Sequence, residues 1–410
     1  MALNFTNADS ALKEFYIGPI REELNNTILL LSLIEKNSTD IEGRRAVLSL
    51  HVQRNSGVGA RAEGTPLPTA GNQTYAQENV PLKYNYARIT LTGPVMRAMK
   101  SDKGSFVRAL ESETKGATND LKRDFNRQLW GTSDGVIAKT GVTTASTTLN
   151  LAASTTTTQL RQLEAGMVID AGAASPFTGD TGFPVSIVSV NFAAKTVLVS
   201  GAVTTASGDS IVRVGSGGSG ASQKELTGLQ TIVSASGTLF NVNPASNPVW
   251  AATVNSNGGT PRAVSENLFA QVMQAVSVAS GQDIDKVIGS DGVFRAFAGT
   301  MLSEKRFSNT VDLSGGFKGL DVSAGGYGGG QNVTLAWDRD APSGQAYFLN
   351  TQPESLSLYQ MSDWEWMQED GAVLFRVSGQ DAYEATLFKY ADLMTSARNR
   401  NGLCSDLIEA

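Results

Sequence analysis

The chain has 410 residues, of which 41% are hydrophobic and 18% charged, and its formal net charge is −6 at pH 7. These values exclude a mainly disordered chain. They also argue against a protein that mainly binds nucleic acid, because neutralising phosphates requires clustered lysine and arginine. The chain has one histidine, His51, and one cysteine, Cys404, so the usual metal ligands and general bases are nearly absent and we expect no cofactor and no metal.

The first segment, residues 1–45, carries apolar residues at helical spacing from Phe15 to Ile34, with a break around Gly18-Pro19. This pattern predicts a helical N-terminal arm. The arm lacks the basic start and apolar stretch of a signal peptide, and no apolar run of about 18 residues occurs anywhere in the chain, so we expect no export signal and no membrane span.

Residues 46–52 and Tyr84–Leu91 alternate between apolar and polar side chains, which predicts two strands. The stretch between them is polar and punctuated by glycine and proline. A structureless connection of that length is unusual in a compact domain. We therefore predict an extended, protruding two-stranded ribbon that is supported from outside the subunit.

The next segment predicts a long amphipathic helix at about 104–130. Its apolar positions, from Phe106 to Leu129, are spaced by three or four residues, and charged residues fill the other faces. Ser105 is placed to cap the start and Gly131 to end the helix.

Residues 136–221 differ sharply in composition. They are rich in Thr, Ser, Ala, Val and Gly, carry few charges and contain short apolar runs separated by glycine. Five or six short strands at this spacing predict a small β-barrel or sandwich. The glycine-rich flanks at 131–135 and 215–220 indicate hinges, so we interpret the segment as an inserted β domain.

The remainder predicts a mixed α+β region. A helix should begin after Ser265, and another should run from Asp291 to about Leu302. The glycine-rich stretch Ser314–Gly330 predicts a mobile loop, and residues after Met394 predict a polar tail. The predicted extended pieces and strands are Leu226–Val233, Pro248–Trp250, Lys286–Gly289, Val333–Trp337, Ala346–Leu349, Ser355–Tyr359, Val373–Val377 and Tyr383–Met394.

Three features could carry chemistry, and each also has a purely structural interpretation. Residues 215–220 match G-x-G-x-x-G, but no long helix follows and no acidic residue lies about 20 positions further on, which favours a linker over a nucleotide site. His51 has no second histidine beside which to bind a metal or activate a thiol, which favours a strand or interface residue. Cys404 fits an unreactive free thiol.

Two acidic clusters, 338–340 and 363–370, could supply paired carboxylates for glycoside cleavage or bind a divalent ion. The second cluster lies between strand candidates and before Gly371, as a hairpin tip does. Because it includes Trp364, Trp366 and a methionine, a protein contact is the favoured reading. The subunit-contact candidates are Arg54, Arg61, Glu63, Trp364, Trp366, Glu369 and Asp370.

The order of these elements resembles the major capsid proteins of tailed bacteriophages, whose shell fold also occurs in herpesvirus capsid floors. The resemblance covers nearly the whole chain and includes the passage Gly228-Leu-Gln-Thr-Ile…Pro248-Val-Trp250, the segment Ser290-Asp-Gly-Val-Phe-Arg and Arg306-Phe307. It implies an α+β fold with peripheral and axial domains. The implied division is arm 1–45, extended loop with flanking strands 46–91, peripheral domain with spine helix 92–135, inserted β domain 136–221, connection 222–257, axial domain 258–350, peripheral β element 351–380, and axial strand with C-terminal tail 381–410.

The resemblance further implies a non-enzymatic subunit that assembles into pentamers and hexamers of an icosahedral virion shell, in the host cytoplasm. The shell would enclose double-stranded DNA without sequence-specific binding, with portal, scaffold and decoration proteins as partners and no membrane. Detached arm and ribbon segments would bury their apolar residues only against neighbouring copies. The alternative is a virion surface or tail-associated ligand-binding protein, and a weaker one is a glycan-cleaving enzyme.

Some members of that family join subunits through a lysine in the extended loop and an asparagine on a neighbour. Residues 55–80 contain no lysine, and the nearest, Lys83, would lie at the loop base. We therefore expect shells without such covalent links. We also expect subunits that keep their N-terminus, because the arm begins within the first ten residues and leaves no room for a propeptide of the usual length.

Overall fold

The computed structural model describes residues 28–38, 45–94, 103–174, 177–218, 223–302, 310–313, 317–323, 332–368 and 373–410. The helices are α1 Leu29–Leu33, α2 Lys103–Leu129, α3 Thr157–Gln162, α4 Leu229–Ile232, α5 Glu266–Ser280 and α6 Asp291–Leu302. The strands are β1 Glu35–Asn37, β2 Arg45–Gln53, β3 Thr74–Pro81, β4 Lys83–Thr92, β5 Val136–Lys139, β6 Thr143–Asn150, β7 Val168–Ala174, β8 Phe177–Gly179, β9 Val185–Asn191, β10 Thr196–Thr205, β11 Ser210–Arg213, β12 Thr253–Asn255, β13 Lys286–Gly289, β14 Thr310–Leu313, β15 Phe317–Ser323, β16 Asn332–Trp337, β17 Ala346–Leu349, β18 Ser357–Gln360, β19 Glu365–Trp366, β20 Phe375–Arg376, β21 Ala382–Met394 and β22 Gly402–Cys404.

The central sheet, made of β1, β4 and β18–β21, is organised around the long strand β21. Strands β4, β18, β19 and β20 all pair antiparallel with β21, and β1 adds to β18 in parallel. Helix α2 covers one face of this sheet, where Gln128 Nε2 donates a hydrogen bond to Asn85 Oδ1 at 2.9 Å. Phe125 and Leu129 of α2 are buried in the central core. This burial is the reason that apolar residues recur at helical spacing in this part of the sequence.

The C-terminal sheet has the order β12-β22-β17-β13-β16-β15-β14. Its core includes Phe269 and Val272 of α5 and Val293 and Phe297 of α6. Helix α5 begins at the predicted cap, since Ser265 Oγ accepts a hydrogen bond from Leu268 N, and it ends at Gly281, whose φ of 71° is left-handed.

The β module, residues 136–213, forms a third sheet with the order β5-β11-β7-β9-β10-β6, and β8 pairs with β7. A bridge between Thr140 and Leu151 joins the two edge strands, so the sheet closes on itself. Its buried cluster, which includes Ile169, Val197 and Ile211, draws only on residues of this segment. The remaining strands, β2 and β3, form a separate two-stranded ribbon.

Residues of α3 make polar contacts between the β module and the C-terminal part of the chain. Arg161 donates two hydrogen bonds, each of 3.1 Å, to the carboxylate of Asp291 on α6. These bonds hold the pKa of Asp291 below its ordinary value. Thr158 Oγ1 donates to the carbonyl of Ala341 at 3.1 Å. The attachment is therefore polar, whereas the interior of the module is apolar.

The predicted pairing of the ribbon is wrong. Residues 46–52 pair with β3, which sequence reasoning missed, while Tyr84–Leu91 lies in the central sheet beside β21. Alternation identifies a strand but not its partner. The arm prediction also needs correction, because Leu29–Leu31 are buried in the chain's own central core; residues 1–27 lie outside the described residues.

Several local predictions are also wrong. Leu226–Val233 contains the helical turn α4, and Pro248–Trp250 forms a 3₁₀ turn that begins at the proline. Part of the predicted mobile loop, Phe317–Ser323, is a strand. The predicted polar tail contributes β22, and Cys404 in it is fully buried.

Candidate subunit-contact surface

The loop at residues 54–73 projects from the ribbon through a narrow neck. Asn55 Oδ1 accepts a hydrogen bond from Gly57 N at 2.7 Å. A Cβ atom on Gly57 would lie 2.8 Å from the carbonyl oxygen of Thr69 and 2.9 Å from the nitrogen of Gly71. Only glycine fits here, because the outgoing and returning backbones touch at this point.

Beyond the neck, the loop exposes both charged and apolar side chains. The predicted contact residues Arg54, Arg61 and Glu63 are all exposed. Val58 and Leu67, which sequence reasoning did not select, are 83% and 85% exposed. Their only sequence signal is an apolar side chain amid glycine and proline. Exposed apolar residues on a projecting loop are suited to burial against another protein.

Trp364 lies inside a mixed apolar and charged cluster. Its ring contacts the Phe125 ring edge-on, with centroids 5.2 Å apart, and Lys389 Nζ lies 4.8 Å from its centroid. The buried Lys389 donates to Gln360 Oε1 at 2.6 Å and to Asp363 Oδ1 at 2.8 Å. The structure therefore places Trp364 largely against its own chain.

Asp363 links two parts of the chain through that cluster. Its second oxygen, Oδ2, accepts a hydrogen bond from Lys36 Nζ of β1 at 2.8 Å. Burial acts to raise the pKa of Asp363, but the hydrogen bonds from Lys36 and Lys389 outweigh it and hold that pKa below its ordinary value. An ionised, doubly paired carboxylate is poorly suited to act as an acid catalyst.

The hairpin-tip interpretation of residues 363–370 is wrong for its first half. Glu365 and Trp366 form β19 and pair with Phe388 and Leu387 in the central sheet. Trp366 is half-buried. Glu369 and Asp370 lie outside the described residues. The predicted strand pair around 353–361 and 371–380 does not form either, because β18 and β20 each pair with β21 instead.

The central sheet carries an aromatic surface opposite α2 that sequence reasoning missed. Tyr84 and Tyr86 are 54% and 52% exposed. Their rings meet Tyr390 edge-on, with centroids 5.0 and 5.9 Å away, and Phe388 lies beside Tyr390. Burial and the hydrogen bond with Tyr390 raise the pKa of Tyr86 to about 12. The alternating apolar and polar residues of β4 predicted a strand, but they did not show which face of that strand a helix covers.

The acidic cluster at 338–340 is buried and hydrogen-bonded within the chain. Asp338 and Asp340 are buried, and Asn126 Nδ2 donates to Asp340 Oδ2 at 3.0 Å. The backbone nitrogen of Leu30 donates to Asp338 Oδ2 at 3.1 Å. Burial, reinforced by Asp340, raises the pKa of Asp338 to about 6. These acids tie α1 and α2 to the C-terminal sheet.

The other motifs show no arrangement for chemistry. In the part of the chain that the structure describes, no group of three or more histidine, cysteine or acidic side chains could hold a metal ion. Within the same residues, no helix is long and apolar enough to cross a membrane. His51 is exposed, and its ring contacts Tyr75. In the G-x-G-x-x-G segment, a Cβ atom on Gly217 would lie 2.8 Å from the Phe177 ring.

Comparison with known proteins identifies the fold. No protein-family profile and no curated protein matches the sequence. A chain of the capsid asymmetric unit of cyanophage A-1(L) matches with a TM-score of 0.61 and 13% identity over 99% of both chains. The holo-SrpI encapsulin complex from Synechococcus elongatus matches with a TM-score of 0.49 and 9% identity, covering 100% of this chain and 97% of that one. The capsid of an empty GTA particle gives 0.48 and 10%, with 100% of each chain covered.

The similarity to the cyanophage chain extends over the whole length of both chains, so the two share an architecture. The mixed α+β class and the resemblance to phage capsid proteins are confirmed at the level of the fold. At 13% identity the similarity transfers the architecture and not the role of any residue.

Proposed function

We propose that this chain is the structural subunit of an icosahedral capsid shell, without enzymatic activity, that encloses the double-stranded DNA of a tailed phage. The observation that carries the proposal is the match to a phage capsid chain over 99% of both chains. A ligand-binding surface protein would be expected to share one domain with a capsid subunit, and not its full length.

The contact surface supports self-association. The loop at 54–73 presents Val58 and Leu67 to solvent, and the exposed tyrosines of β4 form a second apolar area. Both are features that a soluble monomer usually limits and that an assembled subunit buries. We assign contacts with neighbours to Arg54, Arg61, Glu63 and Trp366, with Trp364, Glu369 and Asp370 as further candidates.

The net charge of −6 suits a wall that encloses DNA without binding its sequence. In this proposal the subunits form pentamers and hexamers in the host cytoplasm, with portal, scaffold and decoration proteins as partners in the virion. The division into arm, peripheral and axial domains and an inserted β domain at 136–221 belongs to the same proposal.

The experiment is to express the full-length chain and measure particle size by multi-angle light scattering and electron microscopy. Megadalton shells, rings or curved sheets are expected. A stable monomer or trimer at high concentration, with no larger form after adding the other structural proteins of the same virus, would favour the alternative of a surface or tail-associated ligand-binding protein. A variant with Val58→Ser and Leu67→Ser tests the role of the loop, since it should reduce assembly while leaving the subunit folded.

A further inference from the structure

Glu78 is a fully buried acidic residue at the root of the ribbon. It lies on β3, its exposed fraction is 0%, and neither carboxyl oxygen has a hydrogen-bond partner among the described residues. Its neighbours on the inward face of β3 are Ala76 and Val80, and Leu48 lies opposite it on β2. It is thus a polar group set in an apolar contact.

That contact joins the ribbon to the body of the subunit. Ala46 and Val80 belong to the central buried core, and Asn79 N donates to the carbonyl of Phe240 at 3.0 Å. Beyond Pro81 only Leu82 separates β3 from β4, although the two strands belong to different sheets. The ribbon root therefore meets the body through a packed contact and a one-residue connection at Leu82.

Charged groups on neighbouring strands do not compensate Glu78. Those on the strands that contact β3 are Arg45 and His51 of β2, and Tyr383, Glu384, Lys389, Tyr390 and Asp392 of β21. Arg45 and His51 are exposed. Lys389 is bonded to Gln360 and Asp363, and Asp392 accepts hydrogen bonds from Thr227. Phe240 and its neighbours 239–242 carry no titratable side chain.

We propose that Glu78 makes the seating of the ribbon root proton-dependent: the neutral carboxyl group stays buried, and the carboxylate drives the root off the body. The physical reason is that an ionised carboxylate without a partner is strongly disfavoured in an apolar contact and gains solvation when it reaches water. A lone two-stranded ribbon has little stability of its own, so lifting the root exposes the backbone amides of β2 and β3. The device belongs to the single subunit and does not depend on shell assembly.

The direction of the pH effect follows from burial, which raises the pKa of Glu78 from 4.5 to about 8. Seating is favoured most below the pKa of the solvated acid. As the pH rises toward 8, the opening equilibrium should increase by up to about tenfold per pH unit and then level off. Acidic conditions therefore hold the ribbon down, and mildly alkaline conditions release it.

The test is hydrogen exchange of dissociated full-length subunits between pH 5 and 9, with rates corrected for intrinsic base catalysis. Protection of residues 45–53 and 74–81 should fall with pH and level off near 8, while strand β17 stays constant. In Glu78→Gln the ribbon should keep the same protection at every pH. Glu63→Gln, an exposed acid in the same loop, is the matched control and should behave as the native chain.

Two results overturn the proposal. One is a native ribbon whose corrected protection is independent of pH, a measurement that needs no variant. The other is a Glu78→Gln chain with the same pH profile as the native one. If Glu78→Gln misfolds, Glu78→Met, which keeps the volume and removes the charge, replaces it under the same two criteria.

Discussion

The β module and the ribbon are both made of strands, but they bury their apolar residues in different ways. In the module the edge strands meet through Thr140 and Leu151, and Ile169, Val197 and Ile211 are completely buried within the segment. In the ribbon the root is buried together with Val52 near the loop end, and the loop beyond leaves Val58 and Leu67 in water. A closed sheet satisfies its own edges, whereas a two-stranded ribbon cannot. The module thus buries its own apolar cluster, whereas the loop leaves two apolar side chains exposed.

The largest expected effect comes from removing the loop. The deletion must leave residues 74–81 in place, because they form a strand whose Val80 lies in the core. Deleting 58–70 and joining Gly57 to Gly71, whose backbones already touch, should leave a folded subunit that forms no closed shells, since a contact between subunits is lost. Circular dichroism checks the fold and electron microscopy the shells; normal shells would show that the loop is dispensable.

The next effect tests whether the module is an independent unit. Ile211→Ala should destabilise it by about 2–4 kcal/mol, because a buried isoleucine loses packing and leaves a cavity. Hydrogen exchange should show the loss within residues 136–213 and not in β16 or β17. Val188→Ala, at a position 52% exposed, is the control. If the amides of the C-terminal sheet lost as much protection as those of the module, the module would not be an independent unit.

A smaller effect distinguishes Trp364 from Trp366. Trp364→Ala should cost about 2 kcal/mol in the isolated subunit, because it loses the Phe125 ring and the Lys389 ammonium. Trp366→Ala should affect the isolated subunit less and weaken assembled particles by about 2 kcal/mol per contact if Trp366 meets a neighbour. Chemical denaturation of subunits and of particles distinguishes the two. Equal losses in both variants before and after assembly would remove Trp366 from the contact surface.

The smallest effect concerns pH within the module. Burial first, and then the nearby Asp209, raise the pKa of Asp180 to about 6. Because the folded-state pKa is raised, the contribution of this group is fully present below about pH 4 and is lost as the pH rises through 6. The loss should be about 1 kcal/mol or less, since solvent screens a partly exposed group. Calorimetry at pH 4 and pH 7.5 should show a larger loss in the native chain than in Asp180→Asn, and some loss in both, because the raised pKa values of Glu78 and Asp338 lower the stability of both chains over the same range.

Local signals in the sequence predicted the three longest helices, α2, α5 and α6, and many strands. Helix α5 was recognised from Ser265 and its apolar spacing because capping and periodicity are properties of neighbouring residues. Strand β13 and helix α6 were found for the same reason. Strand β3 was missed because Glu78 occupies an inward position, where an apolar residue would have completed the alternation.

Partnership between distant segments could not be predicted. Strand β22 was taken for a polar tail because three residues give no periodicity, and its burial depends on β12 and β17 on either side. Arg54, Arg61 and Glu63 are exposed, and their contact role stays a prediction. The exposed faces of Tyr84 and Tyr86 could not be predicted, because they depend on α2 covering the opposite face of the sheet. The sequence predicted Trp364 to be exposed. Its contacts with Phe125 and Lys389 could not be foreseen, because they join segments far apart in sequence.

The position of β21 in the chain sets the order in which the protein can fold during synthesis. This strand pairs with β4 from Ala382↔Thr92 to Ala391↔Lys83, and it also holds β18, β19 and β20. Strand β4 therefore leaves the ribosome long before its partner is translated, while the β module has all its strands within 136–213 and can fold early. Such long sequence separations slow folding and prolong exposure of unpaired edges. The nascent chain should consequently depend on chaperones until β21 emerges, and premature termination between Arg213 and β21 should yield aggregates that contain a folded β module.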